Sequence, residues 1–243
     1  FRISKVPIYA GLIQNNLKPL TGDVQRHLKQ RGLVVPDADL VFSSLDGSVE
    51  VREPSPLKGL VNNRPWDYQL TTLGLSPSVE VAAICPPQDT SKLRQLFDKF
   101  QQRSEPSDSE RDYLQPFPGF TKAFGLPISF PDVNEPTWIA LDDSLHEPGV
   151  KSSRILADRI CRGLDVIRTV RPGAVVAIFV PNRWEPFERG STENTHFDLH
   201  HFIKSYAARH GQSTQFIREK TTQTPQPCRV RWWLSLALYA KAL

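Results

Sequence analysis

The run VEVAAICP (residues 79–86) decides the fold. It is apolar at nearly every position instead of alternating, the pattern of a strand buried on both faces of a parallel sheet. C-terminal to it, SKLRQLFDKFQQ (residues 91–102) sets Leu93, Leu96, Phe97 and Phe100 on one helical stripe, as a crossover helix requires. TWIALDD (residues 137–143) adds a short strand, and KSSRILADRICRGLDVIRTV (residues 151–170) a long amphipathic helix. After Pro172 and Gly173 comes a second buried strand, AVVAIFVP (residues 174–181). This alternation predicts an α/β fold, a Rossmann-like wind with a largely parallel sheet flanked by helices. In such sheets ligands collect beyond the carboxyl ends of the strands.

Ahead of the sheet the chain is less regular. FRISKVPIYAGLI and DLVFSS read as short strands, TGDVQRHLKQRGL as a short helix closed by Gly32, and REPSPLKGLVNNRPWDY as an ordered connector. EPSDSERD (residues 105–112) reads as a polar loop or an acidic helix start. The expected organisation is a small mixed N-terminal segment over residues 1–70, a linker or the end of a preceding domain, followed by one α/β domain over residues 71–243.

Composition excludes several classes. With 39% apolar and 23% charged residues, the chain has the balance of a soluble globular protein. No apolar run is long enough to span a bilayer, and no signal-peptide pattern opens the sequence, so no membrane partner is expected. A net charge of +4 and a pI near 9.0 permit nucleic-acid binding without demonstrating it. Cys85, Cys161 and Cys228 are too scattered for a disulfide framework or a metal knuckle and suit a reducing cytoplasm. There is no G-x-G-x-x-G, Walker loop, G-x-S-x-G or H-E-x-x-H. Asp142 and Asp143 are adjacent and would point to opposite faces of a strand, a poor acid/base pair. No catalytic residues emerge. The chain lacks methionine, begins at Phe1 and stops at Leu243 just past an apolar helix, and it reads as part of a longer protein.

The chemistry concentrates in residues 195–241, THFDLHHFIKSYAARHGQSTQFIREKTTQTPQPCRVRWWLSLALYAK. Thr195 is an N-cap candidate with Asp198 in the first turn. Leu199, Ile203 and Tyr206 follow at helical spacing, and Gly211 sits where a left-handed cap belongs. His200 and Lys204 share a helix face. Gln215 falls in a strand-like run (residues 213–218). Val230, Trp233, Leu234, Ala237 and Leu238 form an apolar stripe of a last helix, with Lys241 on the line of Val230. A lysine there either snorkels to water or meets an anion. One histidine, two lysines and a glutamine can converge on a phosphate, with a ring beside it for a base.

His200, Lys204, Gln215 and Lys241, at successive spacings of four, eleven and twenty-six, resemble the guide 5′-phosphate pocket of the MID domain of prokaryotic Argonaute proteins. The phrases FDLHHFIKSYAARHG, STQFIREKT, RVRWWLSLALYAK, YLQPFPGFTKAFGLP and SPLKGL are similar to that family as well, so the likeness runs from about Pro54 to Leu243. The resemblance implies that Lys204, Gln215 and Lys241 hold the terminal phosphate of a guide RNA or DNA. His200 would stack on its first base, where other members carry Tyr. It implies a target nucleic acid and, as in short Argonautes, an effector protein as partners. It implies no cofactor for these residues, and magnesium only in a full-length protein. The slicing residues of the family belong to a PIWI domain beyond Leu243, so no cleavage is expected here.

Each residue taken alone has a plainer explanation. His200 and Lys204 suit a solvated helix face, Gln215 a strand edge, and Lys241 a helix C-terminus whose dipole favours a cation. Trp232 and Trp233 suit core and interface packing. Arg218 and Lys220 suit either guide phosphates or a solvated strand edge. The competing functional reading is a Rossmann-like enzyme domain that binds a small phosphorylated metabolite.

Overall fold

The computed structural model describes residues 39–66, 78–107, 114–145, 147–192, 195–224 and 227–243. The strand and helix expected within residues 1–38, and most of the EPSDSERD segment, lie outside the described residues. In chain order the elements begin with β1 (Leu40–Ser43), β2 (Glu50–Glu53), α1 (Pro56–Asn62) and β3 (Arg64–Pro65). Next come β4 (Val79–Cys85), α2 (Thr90–Asp98), α3 (Phe120–Phe124), β5 (Ile128–Ser129) and β6 (Trp138–Ala140). Then follow α4 (Val150–Val170), β7 (Val175–Val180), α5 (Glu185–Glu188), β8 (Arg189–Thr192) and β9 (Thr195–Asp198). The last are α6 (Leu199–Arg209), β10 (Thr214–Arg218), α7 (Glu219–Thr222) and α8 (Pro227–Ala242).

The main sheet runs β10-β7-β4-β5, with β6 also paired to β4, and every pairing in it is parallel. β5 meets the first two residues of β4 and β6 its last three, so the two short strands share one flank of β4. The period of two along β4 and β7 separates two apolar layers. Val79, Val81, Ala83 and Cys85 join Val175, Ala177 and Phe179 under α2, α3 and α8. Ala82 and Ile84 join Val176, Ile178 and Val180 under α4 and α6. Both faces are therefore covered, which explains why these strands read as continuous apolar runs. Each large aliphatic side chain buried this way stabilises the fold by about 1.5–3 kcal/mol. At Gly163 the α4 backbone comes so near the sheet that a Cβ would lie 3.1 Å from Ile84 Cδ1.

The N-terminal strands form a separate antiparallel sheet, β2-β1-β3. Here the structure departs from the sequence reading, because the expected connector contains α1. Proline is tolerated in a helix's first turn, and Ser55 caps this one by accepting from the Lys58 N–H at 3.5 Å. Phe42, Leu57 and Leu60 are buried in the same apolar cluster as α2 and α8.

Two further expectations are corrected. Thr195 does not cap α6: residues Thr195–Asp198 pair antiparallel with β8, so the helix starts later and Asp198 accepts from the His201 N–H at 2.8 Å. In α8 the expected stripe holds only in part. Leu234 and Leu238 are buried, but Trp233 is 49% exposed, and the buried face extends instead over Cys228, Trp232, Ser235 and Tyr239. The helix is apolar on more than one side, and aromatic partners select the face. Trp232 meets Phe117 edge-on with ring centres 5.2 Å apart, and Tyr239 stacks on Phe124 at 4.7 Å.

Candidate functional site

β10 ends the sheet's pairing path, with β7 as its neighbour, and beside it a cleft of about 610 Å³ opens toward α6 and α8. All four residues singled out from the sequence line it: His200 and Lys204 from α6, Gln215 from β10 and Lys241 from α8. Local structure explains the convergence. The Asp198 cap starts α6 so that residues 200 and 204 lie one turn apart on one face, and Gly211, at φ 65°, reverses the chain into β10.

The polar groups are linked. Lys241 Nζ donates to Gln215 Oε1 at 2.6 Å, and Lys204 Nζ donates to the Thr214 carbonyl. The Gln215 amide donates to the Phe216 carbonyl at 2.9 Å. Phe216 supplies the apolar floor: the His200 ring meets it edge-on at 4.6 Å, and Lys204 Nζ lies 5.7 Å from its centre. Among the described residues no carboxylate pairs with either lysine. Burial, then the charge of Lys241, pushes the Lys204 ammonium below its ordinary pKa, and burial does the same to Lys241. Burial, followed by the Lys204 charge, lowers His200 below its ordinary 6.5, which favours the neutral ring at pH 7.

Sequence reasoning missed the acidic half of the cleft. Glu188 grips Arg218 with two bonds of 2.6 Å, and Asp198 pairs with Arg189 Nε at 3.5 Å. Asp198 was legible as a cap, since it directly precedes the first periodic apolar residue of α6. Glu188 carried no signal, because its partner lies thirty residues away. Four cations and two carboxylates leave the lining with a net charge of +2. That set has the charge and donors to hold an anion. Both carboxylates are held by arginines among ammonium groups, a donor set unlike the oxygen cage of a divalent metal.

A second charged constellation lies past the carboxyl ends of the strands. Lys92 Nζ reaches Asp89 Oδ1 at 2.8 Å and Glu219 Oε1 at 2.6 Å. Arg183 reaches Asp89 Oδ2 at 2.6 Å and Asp143 Oδ2 at 2.5 Å. The Trp184 indole also donates to Asp143 at 2.8 Å, and the Asn182 N–H to Glu219 at 2.8 Å. Asp142 turns away to Ser144 and Arg159, so the adjacent carboxylates are indeed not a pair. Burial, with Asp89 nearby, pushes the Cys85 thiol up to about 12, which leaves it unreactive.

Neither a scan against protein-family models nor a search of curated proteins finds a match for this chain. Among the described residues no helix is long and apolar enough to cross a membrane.

Proposed function

We propose that this chain is a nucleic-acid-binding module of the Argonaute MID type, which anchors the 5′-phosphate and first base of a guide strand. The observation that carries the reading is the meeting of Lys204, Gln215, Lys241 and His200 in one cleft whose two lysines have no carboxylate partner among the described residues. A terminal phosphate brings about −1.5 to −2 charges. It relieves the repulsion between the ammonium groups and accepts from both, with Gln215 turning its amide to the same anion. The neutral His200 ring and Phe216 offer an apolar flank for the first base. The strand continues toward a target nucleic acid, and an effector protein acts on the assembled complex.

Filter binding of the full chain tests this with one oligonucleotide carrying either a 5′-phosphate or a 5′-hydroxyl, as RNA and as DNA. The phosphorylated strand binds more tightly, and the preference disappears in Lys204→Ala and Lys241→Ala. Equal binding of the two ends by the unaltered protein sinks the reading.

A further inference from the structure

Glu188 and Arg218 line the same cleft as the two lysines but play no part in the terminal-phosphate reading. Their contact is a two-point fork, each guanidinium nitrogen 2.6 Å from a carboxylate oxygen. That geometry fits a phosphate as well as a carboxylate. The fork is reached from solvent, with the Arg218 side chain 47% and the Glu188 side chain 21% exposed. It is also offset from the lysines: Arg218 lies three residue steps along extended β10 from Gln215, about 10 Å of backbone at the usual strand rise. A single phosphate held by Lys204, Gln215 and Lys241 does not span that distance. A strand end with a second phosphate does.

Resting on the function proposed above, we infer that Arg218 is a second phosphate subsite and that Glu188 is its resident competitor, a specificity-determining residue that admits a tethered phosphate and turns away free small anions. Glu188 is attached to the protein, so it opposes any untethered anion at high effective concentration. A phosphate already fixed through its neighbour in the lysine half of the cleft competes on equal footing. It displaces the carboxylate, which swings into water from a position it already partly exposes. The cleft thereby distinguishes a nucleic-acid end, with successive phosphates, from inorganic phosphate or a mononucleotide. Asp198 on Arg189 is a looser contact at 3.5 Å and a single point, so the same role falls on Glu188 alone.

The test uses the full chain and two 5′-phosphorylated dinucleotides that differ only at the internal linkage, one a phosphodiester and the other a neutral methylphosphonate. The unaltered protein prefers the phosphodiester. Glu188→Gln widens that preference by about tenfold, the equivalent of one charge-assisted bond released from competition. Arg218→Ala abolishes the preference, and Arg218→Lys retains a reduced one because the charge remains and the fork is lost. Glu188→Gln also raises the number of inorganic phosphates bound per chain by one, a change that a purely structural role does not produce. An internal-linkage preference unmoved by Glu188→Gln, or one surviving Arg218→Ala, overturns the inference. Failure of the terminal-phosphate reading shows separately, as indifference to removal of the 5′-phosphate, which this pair of ligands holds constant.

Discussion

The two charged regions of this protein are built from the same side chains and reach opposite balances. Past the strand ends, Asp89, Lys92, Asp143, Arg183 and Glu219 meet one another, and each charge there faces an opposite one. Beside β10, Lys204 and Lys241 face each other and a glutamine. The crevice where a doubly wound sheet ordinarily takes its ligand is thus occupied by the protein's own ion pairs. The unmatched charge sits at the edge strand instead. Buried pairs of this kind add little net stability but are costly to break singly, whereas an unpaired half-buried cation is a standing cost that a ligand removes. The first region is a clamp; the second, under the function proposed above, is a receptor.

The largest expected effect breaks the clamp. Arg183→Ala leaves the buried Asp89 to Lys92 and Asp143 to the Trp184 indole, and lowers the unfolding free energy by about 3 kcal/mol, the low end for losing one partner of a buried pair. Urea denaturation reads the loss, and the folded fraction still prefers a phosphorylated strand. A loss near zero means that these ion pairs hold nothing together.

Next in size is ligand stabilisation of the receptor. Inorganic phosphate at about a hundred times its dissociation constant stabilises the folded chain by about 2.7 kcal/mol over chloride at equal ionic strength. Lys241→Leu removes most of that gain and leaves stability in chloride unchanged or higher, because a half-buried charge has gone. Equal protection of both proteins by phosphate places the anion elsewhere.

The smallest effect, and the sharpest for the comparison, is in pH. The hydrogen bond from Lys92 holds the Glu219 carboxyl below its ordinary 4.5, so this contribution is complete above that value. It is lost as pH falls through the lower folded value. The cleft lysines also titrate below their ordinary 10.5, but for want of partners. Their folded forms release protons before the unfolded chain does, so stability rises as pH climbs through the depressed values toward 10.5. Urea midpoints across pH separate the two windows: Glu219→Gln flattens the acid limb, and Lys204→Ala with Lys241→Leu flattens the alkaline rise. An alkaline rise that persists in the double variant comes from other groups.

The secondary structure around the sheet was largely legible because local pattern and tertiary role agree there. Val79–Cys85, but for Glu80, and Val175–Val180 are apolar since both faces are covered, and the buried stripe of α4 runs from Ser153 to Ile167. Legibility failed where two local patterns competed. Thr195 carries a capping signal but is recruited into a hairpin with β8, and Pro56 signals a break yet sits at a helix start. In α8 several faces are apolar, so spacing alone did not select Trp232 over Trp233 as the buried ring.

The site divides in the same way. By itself the sequence determined which cations and which amide are available, and the four-residue step from His200 to Lys204 that sets them on one helix face. Only the tertiary structure brought Lys241 to Gln215, put Phe216 beneath His200 and Lys204, and set Glu188 against Arg218. The physical reason is range. Helix and strand periodicities are set by neighbours within a few residues, whereas the balance of charge in a cleft depends on side chains twenty-six and thirty residues apart, which meet only once the sheet has formed.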